Sequence, residues 1–197
     1  MEPDDAILVE RAQAGDTEAF RVLVERYSAK LFRLAYRIVG DEPSAEDAVQ
    51  ETFLRAYRSL ARFDARSQFG TWLHRIAVNT AVEILRKHQR QRSRQEWNEV
   101  EAATPLPSQD PGPDRRALSQ EVERAVRGAL AGLSPMERTA FVLRHFEGRS
   151  IAEICSALGL RESAGKQAVF RAVKKLRRVL EPLTETRVPR ASREVLL

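Results

Sequence analysis

The chain has 197 residues, of which 43% are hydrophobic and 31% charged, with a formal net charge of +5. This composition suits one medium domain or two small ones, and the basic balance suits an acidic partner. The single cysteine, Cys155, excludes an internal disulfide, and the three histidines lack the spacing of metal ligands. The acidic start MEPDD is no secretory signal, and no apolar run approaches the ~20 residues of a membrane span. We therefore expect a cytoplasmic protein with no cofactor and no direct membrane insertion.

Helical periodicity runs through the first half of the chain, and strand signals are nearly absent. Apolar residues recur every three or four positions from Thr17, with Asp16 placed to cap that helix. The same pattern predicts a second helix over about Ser44–Leu60 and a third over about Phe69–Arg92. A short polar loop at 62–68 separates these two.

Four prolines from Pro105 to Pro113 interrupt the pattern, and no helix continues through them. Helices resume after this segment, where Ser134 and Ser150 each begin a capping box. The sequence therefore predicts an all-α fold of two small helical domains joined by a flexible, proline-rich linker. The predicted boundaries are 1–95 for the first domain, 96–116 for the linker, 117–183 for a four-helix second domain and 184–197 for a tail without an assigned role.

The segment from Ser150 to Arg178 has the pattern of a helix-turn-helix. Gly159 follows the first apolar stripe and can take a left-handed conformation in the turn. The next helix has small apolar residues on one face and long donors on the other, the division that a DNA-reading helix needs. A plain helical bundle with a basic outer face is the alternative. The outward residues near the helix start are predicted to contact base edges: Arg161, Ser163, Lys166 and Gln167. The later ones are predicted to contact phosphates: Arg171, Lys174 and Lys175. Phe170 lies between the two groups on the same face.

The third predicted helix has a second, polar face. Spacings of three, four and seven place one aromatic, two cations and one amide on a single stripe: Trp72, Arg75, Asn79 and Arg86. Aromatic rings stack on unpaired bases and cations hold the backbone, so the stripe suits single-stranded nucleic acid. Phe63 and Phe69 flank the loop before it, whose polar residues could bind the edge of an extruded base: Asp64, Arg66, Ser67 and Gln68. For Phe69 and Trp72 an ordinary core position is the alternative.

The second predicted helix is acidic, and we expect it to face a protein. The segment from Asp41 to Leu54 holds five acids and no Lys or Arg. Asp47 has capping-box spacing from Ser44, which would explain its presence near a helix start. Gln50 and Glu51 lie beyond that explanation, so a partner with a basic surface is predicted.

Three runs resemble the extracytoplasmic-function sigma factors of bacterial RNA polymerase. They are PSAEDAVQETFLRAYRSL, FGTWLHRIAVNTAVEILRK and LSPMERTAFVLRHFEGRSIAEICSALGL, the last followed by a basic helix. The resemblance covers about Ala12 to Leu180 and implies a dissociable subunit, not an enzyme, that directs promoter-specific transcription initiation. A stand-alone helix-turn-helix regulator is the alternative, but it leaves the stripe and the acidic helix without a role.

The resemblance also implies a role for each surface. The clamp helices of the largest polymerase subunit would be bound by Asp47, Gln50 and Glu51, supported by Phe53. The minus-ten element would be recognised and melted by the loop and the third helix, through Phe63, Asp64, Ser67, Phe69, Trp72, Arg75, Asn79, Arg86, Lys87 and Arg90. The helix-turn-helix would read the minus-thirty-five element, and its domain would bind the flap of the other large subunit. Many members are held inactive by an anti-sigma factor, so that partner is expected, whereas a small-molecule substrate is not.

Four positions depart from the family pattern. His74 stands where relatives usually carry Tyr, Gly165 replaces a core Val of the recognition helix, Ala168 replaces an Arg, and Phe170 stands where His is common. Gly inside a helix costs about 1 kcal/mol relative to Ala. Gly165 would therefore either allow a closer helix approach or weaken the first turn, and the base identities read at the minus-thirty-five element stay open.

Overall fold

The computed structural model describes residues 4–64, 67–98, 126 and 128–185, and all regular structure in these ranges is helical. The helices are α1 Asp5–Gln13, α2 Thr17–Val39, α3 Glu42–Ser59, α4 Phe69–Asn98, α5 Pro135–His145, α6 Ile151–Leu158 and α7 Glu162–Glu185. A 3₁₀ turn, Leu60–Arg62, follows α3, and residues 126 and 128–131 are helical. Within these ranges no helix is long and apolar enough to cross a membrane. The predicted all-α fold is confirmed.

The first domain is built around α2, which contacts α1, α3 and α4. Its apolar stripe is buried, with Leu23 and Ile38 fully inaccessible to solvent, and α4 contributes the equally buried Leu73 and Val78. Asp16 caps α2 as predicted, since its carboxylate accepts a hydrogen bond from the Ala19 N–H at 3.1 Å. The 3.6-residue period of these apolar side chains thus accounts for both the helices and the core between them.

The start of α3 differs from the prediction. The helix begins at Glu42 because Asp41 caps it, accepting a hydrogen bond from the Ser44 N–H at 3.0 Å. Pro43 occupies the first turn, where its missing N–H costs nothing. The predicted capping box of Ser44 and Asp47 is therefore wrong, and Asp47 is an exposed side chain with no part in capping.

Helix α4 continues to Asn98, three residues past the predicted domain boundary at 95. Its apolar period ends before Arg92, but residues 92–98 contain neither Gly nor Pro, so nothing in the sequence stops the helix there. The proline segment of the predicted linker and the predicted tail beyond Glu185 lie outside the described residues.

The second domain contains the predicted helix-turn-helix. Both capping boxes are present: the Ser134 hydroxyl accepts from the Glu137 N–H, and the Ser150 hydroxyl from the Glu153 N–H, each at 3.2 Å. Gly159 has the left-handed conformation in the turn between α6 and α7, with φ of 64°. The confirmed caps and turn fix the angle at which α7 leaves the turn.

The two domains pack directly against each other. Helices α5 and α6 contact α4, and α5 also contacts α2. Val142 and Ile154 belong to the same buried cluster as the first-domain core. At the edge of this contact an Arg37 guanidinium nitrogen lies 3.0 Å from a Glu147 carboxylate oxygen. The sequence predicts the two domains but not this interdomain packing.

Candidate nucleic-acid and polymerase interfaces

The loop between α3 and α4 is backed by a cluster of aromatic rings. Trp72 lies against Phe63 and Phe69, with centroid separations of 4.9 and 5.7 Å, and Tyr27 packs on the far side of Phe69 at 5.7 Å. Phe69 is only 4% exposed. Its buried ring supports the loop from behind in this structure, and the predicted contact of Phe69 with DNA stays a prediction.

The polar residues of the loop point the other way. Asp64, Ser67 and Gln68 are exposed, while residues 65 and 66 lie outside the described ranges. The loop therefore presents a carboxylate, a hydroxyl and an amide in front of a fixed aromatic wall. Hydrogen-bonding groups beside ring faces are what an enclosed nucleobase requires.

Most of the predicted stripe on α4 is exposed. Arg75, Asn79 and Arg86 are exposed and Trp72 is half-buried. Asn79 and Arg86 border a cleft of about 330 Å³ that Met136 of the second domain also lines, and the Arg86 guanidinium donates to the Met136 sulfur at 3.2 Å. The other two predicted cations on this helix are exposed as well, namely Lys87 and Arg90. The stripe thus combines an amide and several cations on a solvent-facing surface.

The acidic helix α3 borders a separate apolar groove. The groove has a volume of about 670 Å³ and runs between α2 and α3, with Phe32, Val49, Gln50 and Phe53 among its lining residues. Asp47 and Gln50 are exposed, whereas Phe53 is buried and forms the floor. Glu46 and Arg33 are the charged residues in the lining, and an apolar groove beside an acidic helix is typical of a protein-binding surface.

Glu51 is less available than the sequence suggests. It is half-buried, and one of its carboxylate oxygens lies 2.7 Å from the Arg55 guanidinium. Arg55 also reaches Glu83 of α4 at 2.8 Å, and its two carboxylate partners raise the pKa of the guanidinium. Glu51 therefore helps to join α3 to α4, while Asp47 faces solvent freely.

Helix α7 presents the predicted DNA-reading residues to solvent. All eight are exposed: Arg161, Ser163, Lys166, Gln167, Phe170, Arg171, Lys174 and Lys175. Phe170 is 67% exposed, a large apolar surface in water. The opposite face is buried, with Ala168, Ala172 and Leu176 packed toward the domain core. A row of long donors around one aromatic ring is a surface suited to a DNA groove.

Gly165 permits the close approach of α6 and α7. A Cβ atom at this buried position would overlap the Sγ atom of Cys155 on α6. That sulfur also lies 3.5 Å from the carbonyl oxygen of Arg161, which precedes α7. Of the two explanations left open by the sequence, close approach is the one that the packing supports.

Helix α1 was not predicted from the sequence. Its buried residues are Leu8, Val9 and Ala12, spaced by one and three, and this short apolar stripe is the signal that was available. At its end, the Gln13 side chain reaches the backbone on either side of the 3₁₀ turn after α3. The loop thus has support from an element that the periodicity from Thr17 onward does not include.

Comparison with known proteins identifies this arrangement. The models for sigma-70 region 2 and sigma-70 region 4 match residues 23–91 and 123–176. The RNA polymerase sigma-H factor of Pseudomonas aeruginosa is 36% identical over 183 residues, covering 91% of this chain and 95% of that protein. This chain is an extracytoplasmic-function sigma factor of the sigma-70 family.

Other relatives give the same assignment. The extracytoplasmic-function sigma-E factor of Haemophilus influenzae is 36% identical over 187 residues, covering 91% of this sigma factor and 96% of its own length. The solved structure of CnrH in complex with the cytosolic domain of CnrY is similar over 90% of this chain and 97% of that one, with 29% identity and a TM-score of 0.61.

The activity follows from the family. The protein is an RNA polymerase sigma factor that acts in promoter-specific transcription initiation, and it is not an enzyme. The match spans both domains, so the stand-alone helix-turn-helix regulator is no longer needed to explain the second domain. The acidic helix and the α4 stripe, which that alternative left without a role, lie inside the region 2 match.

Proposed function

We propose that the first domain of this sigma factor recognises and opens the minus-ten element with the 62–68 loop and the α4 stripe. The observation that carries the proposal is the pairing of a polar loop backed by aromatic rings with an exposed amide and cations on the adjoining helix. Bases can enter such a site only after they leave the duplex. Binding them stabilises the open strand, and stacking contributes roughly 1–3 kcal/mol per base.

The side chains divide between positioning and base recognition. Arg75, Arg86, Lys87 and Arg90 are cations that neutralise phosphates, which gives affinity without sequence information. Asn79 carries the only amide of the predicted stripe, and an amide can pair with a base edge through a donor and an acceptor together. The exposed groups of the loop supply the remaining polar contacts.

Helix α7 reads the minus-thirty-five element in this proposal. Its first turns would lie in the major groove, where Lys166 and Gln167 reach base edges and Phe170 contacts thymine methyl groups. Arg171, Lys174 and Lys175 would hold phosphates. The mild basicity of the whole chain supports binding to DNA, and the exposed row on α7 places that charge on one helix.

Core polymerase is bound through α3 and the adjoining groove. Gln50 in the groove lining and Asp47 on the exposed face of the same helix would contact the clamp helices of the largest subunit. This contact would remove the apolar lining of the groove from water. Binding of the second domain to the flap of the other large subunit is part of the same proposal. The acidic helix also repels phosphates, which keeps this face separate from the DNA-binding one.

An anti-sigma factor is the proposed negative regulator. CnrH, similar over nine-tenths of the chain, was solved with the cytosolic domain of CnrY bound. The test is affinity purification of the full chain from its own bacterium while its promoters are silent. A stoichiometric partner other than polymerase subunits supports the proposal, and recovery with polymerase alone contradicts it.

The Asn79→Ala substitution tests the minus-ten proposal. It removes one amide from the stripe, so we expect open-complex formation by reconstituted holoenzyme to fall about tenfold, in line with one lost base contact. Affinity for core polymerase should not change. Gln91→Ala is the matched control, because Gln91 is an exposed amide on the same helix outside the predicted contacts. Equal losses of promoter opening and core binding in Asn79→Ala would contradict the base-contact role.

A further inference from the structure

Gln13 joins α1 to the start of the proposed minus-ten loop. Its side-chain nitrogen donates to the Leu60 carbonyl at 2.9 Å and to the Phe63 carbonyl at 2.8 Å. These two carbonyls lie at the two ends of the 3₁₀ turn through which the chain leaves α3 and enters the loop. Backbone carbonyls only accept hydrogen bonds, so the amide nitrogen, with its two hydrogens, is the group that satisfies both.

Helix α1 also supports the far end of the loop. The Asp5 carboxylate accepts hydrogen bonds from the Tyr27 hydroxyl and from the Arg26 guanidinium. Tyr27 packs on Phe69, the first residue of α4. Thus one side chain near each end of α1 braces one end of the loop. Between them lies a cavity of about 1060 Å³, bordered by both α1 and the loop.

A loop that reads bases needs such bracing. Groups that recognise a ligand must be held within a fraction of an ångström of their working geometry, and loops are otherwise mobile. The exposed Asp64 follows directly after the turn that Gln13 fixes, and the exposed Ser67 lies three residues further along the loop. A shift of the Phe63 backbone would therefore displace both polar groups relative to the aromatic wall.

We propose that Gln13 is a positioning residue for minus-ten readout, fixing the backbone at which the loop leaves α3. The inference rests on the proposed role of the loop. Gln13 is itself an exposed side chain at the end of α1 and takes no part in the buried core. Its loss should consequently alter base selection without unfolding the domain.

The test replaces the side-chain amide of Gln13, the hydrogen-bond donor, with side chains of similar size and shape. Gln13→Glu places acceptors opposite two carbonyls, and Gln13→Met removes the hydrogen bonds without adding charge. Ala14→Glu is the control, since it adds the same charge to the exposed neighbouring residue. Each full-length variant is reconstituted with core polymerase and transcribes a promoter library randomised at both elements, and the transcripts are sequenced. Thermal unfolding of each variant is followed by circular dichroism.

We expect base enrichment at the minus-ten positions to fall about tenfold in Gln13→Glu and less in Gln13→Met, as the loss of two side-chain hydrogen bonds predicts. Enrichment at the minus-thirty-five positions, the unfolding midpoint and the Ala14→Glu profile should match those of the wild type. Unchanged minus-ten enrichment overturns the inference. So does an equal fall at both elements, or the same fall in Ala14→Glu. No minus-ten enrichment with the wild-type protein would instead contradict the proposed function of the loop.

Discussion

At the scale of single residues, Gly165 and Cys155 form a matched pair. The missing side chain of one makes room for the sulfur of the other, so each residue is understood only with its partner. The helix-forming penalty of Gly, about 1 kcal/mol, is offset by closer packing of α6 against α7. The pair thereby sets the depth at which the recognition helix lies on its support.

This coupling predicts the outcome of a double-mutant cycle. Gly165→Ala should destabilise the protein by about 1–3 kcal/mol, the usual cost of overpacking, because its Cβ overlaps the sulfur. In the Cys155→Ala background the same change should be neutral or stabilising, since Ala favours the helix. The measurement is urea unfolding followed by circular dichroism.

Independent effects would refute the pairing. If the Gly165→Ala cost is the same with and without Cys155, within the ~0.5 kcal/mol error of additivity, the helices do not depend on this contact. Ala157→Gly, a small-residue change on the same α6 helix, provides a comparison for nonspecific loss of helix stability.

At the scale of elements, α3 has one function at its N-terminus and another along its surface. Asp41 caps the helix, which leaves Asp47 exposed and free of any capping role. Glu51 is held by Arg55, whereas Glu46 lines the apolar groove. The helix therefore presents two exposed carboxylates, Glu46 and Asp47, near a concave apolar surface.

Asp47→Arg tests this division. We expect affinity for core polymerase to fall about tenfold, because a charge of the wrong sign on the exposed face of α3 would meet the partner's basic surface. The measurement is competition with a labelled wild-type chain for core polymerase. Glu18→Arg is the control, since it makes the same charge reversal at an exposed position on α2 outside the groove. Similar losses in both variants would show that net charge, and not the exposed face of α3, controls binding.

Local signals predicted much of the fold. Asp16, Ser134 and Ser150 cap the helices that they were predicted to cap, and Gly159 forms the predicted turn. These features were predictable because a cap or a turn depends on only a few neighbouring residues. The α3 cap was misplaced by three residues because Asp41 and Ser44 both have suitable side chains.

Features that depend on distant contacts were not predictable from a single sequence. In the sequence Gln13 is an isolated polar residue, because the Leu60 and Phe63 carbonyls that it contacts in the structure are about 50 residues away along the chain. The same holds for Phe69, whose ring could be buried or exposed until its neighbours are known. The solvent-facing stripe on α4 was predicted because its residues follow the period of one helix.

At the scale of the whole molecule, the docked domains bring the two helices proposed to read DNA close together. Elements at minus ten and minus thirty-five are about 25 base pairs apart, or roughly 85 Å along B-DNA at ~3.4 Å per pair. Helix α6 contacts both α4 and α7, so these two helices are separated there by about two helix spacings, ~20 Å. The proposed function therefore predicts that the domains separate when the promoter is bound.

The interdomain contact contains a buried histidine whose pKa is lowered. His74 is 8% exposed and lies beside Glu147 and Arg149 of the second domain. Burial lowers the pKa of His74, Arg149 and Lys30 lower it further, and Glu147 opposes them. Docking therefore favours the neutral imidazole. The docked arrangement should become less stable as the pH falls from about 6.5, the ordinary pKa of an exposed His, to the lowered pKa of the buried His74.

Small-angle scattering measures this effect directly. The radius of gyration of the wild-type chain should be larger at about pH 5.5 than at about pH 7.5. The reason is that His74 is protonated more readily when the domains are separated and its side chain is exposed, so a low pH favours the separated state. His74→Gln, which cannot titrate, should remove the difference while leaving His88 and His145 in place. A wild-type radius that does not change, or a change retained in His74→Gln, contradicts the role of this histidine.

The most direct test of the central claim is transcription of fragmented genomic DNA by core polymerase with and without this protein, followed by mapping of the transcript starts. We expect new starts that appear only with the protein and share two sequence elements, near minus ten and minus thirty-five. Asn79→Ala should reduce the number of transcripts without changing their start sites. No new starts, or specific binding to duplex DNA without any effect on initiation, would contradict it.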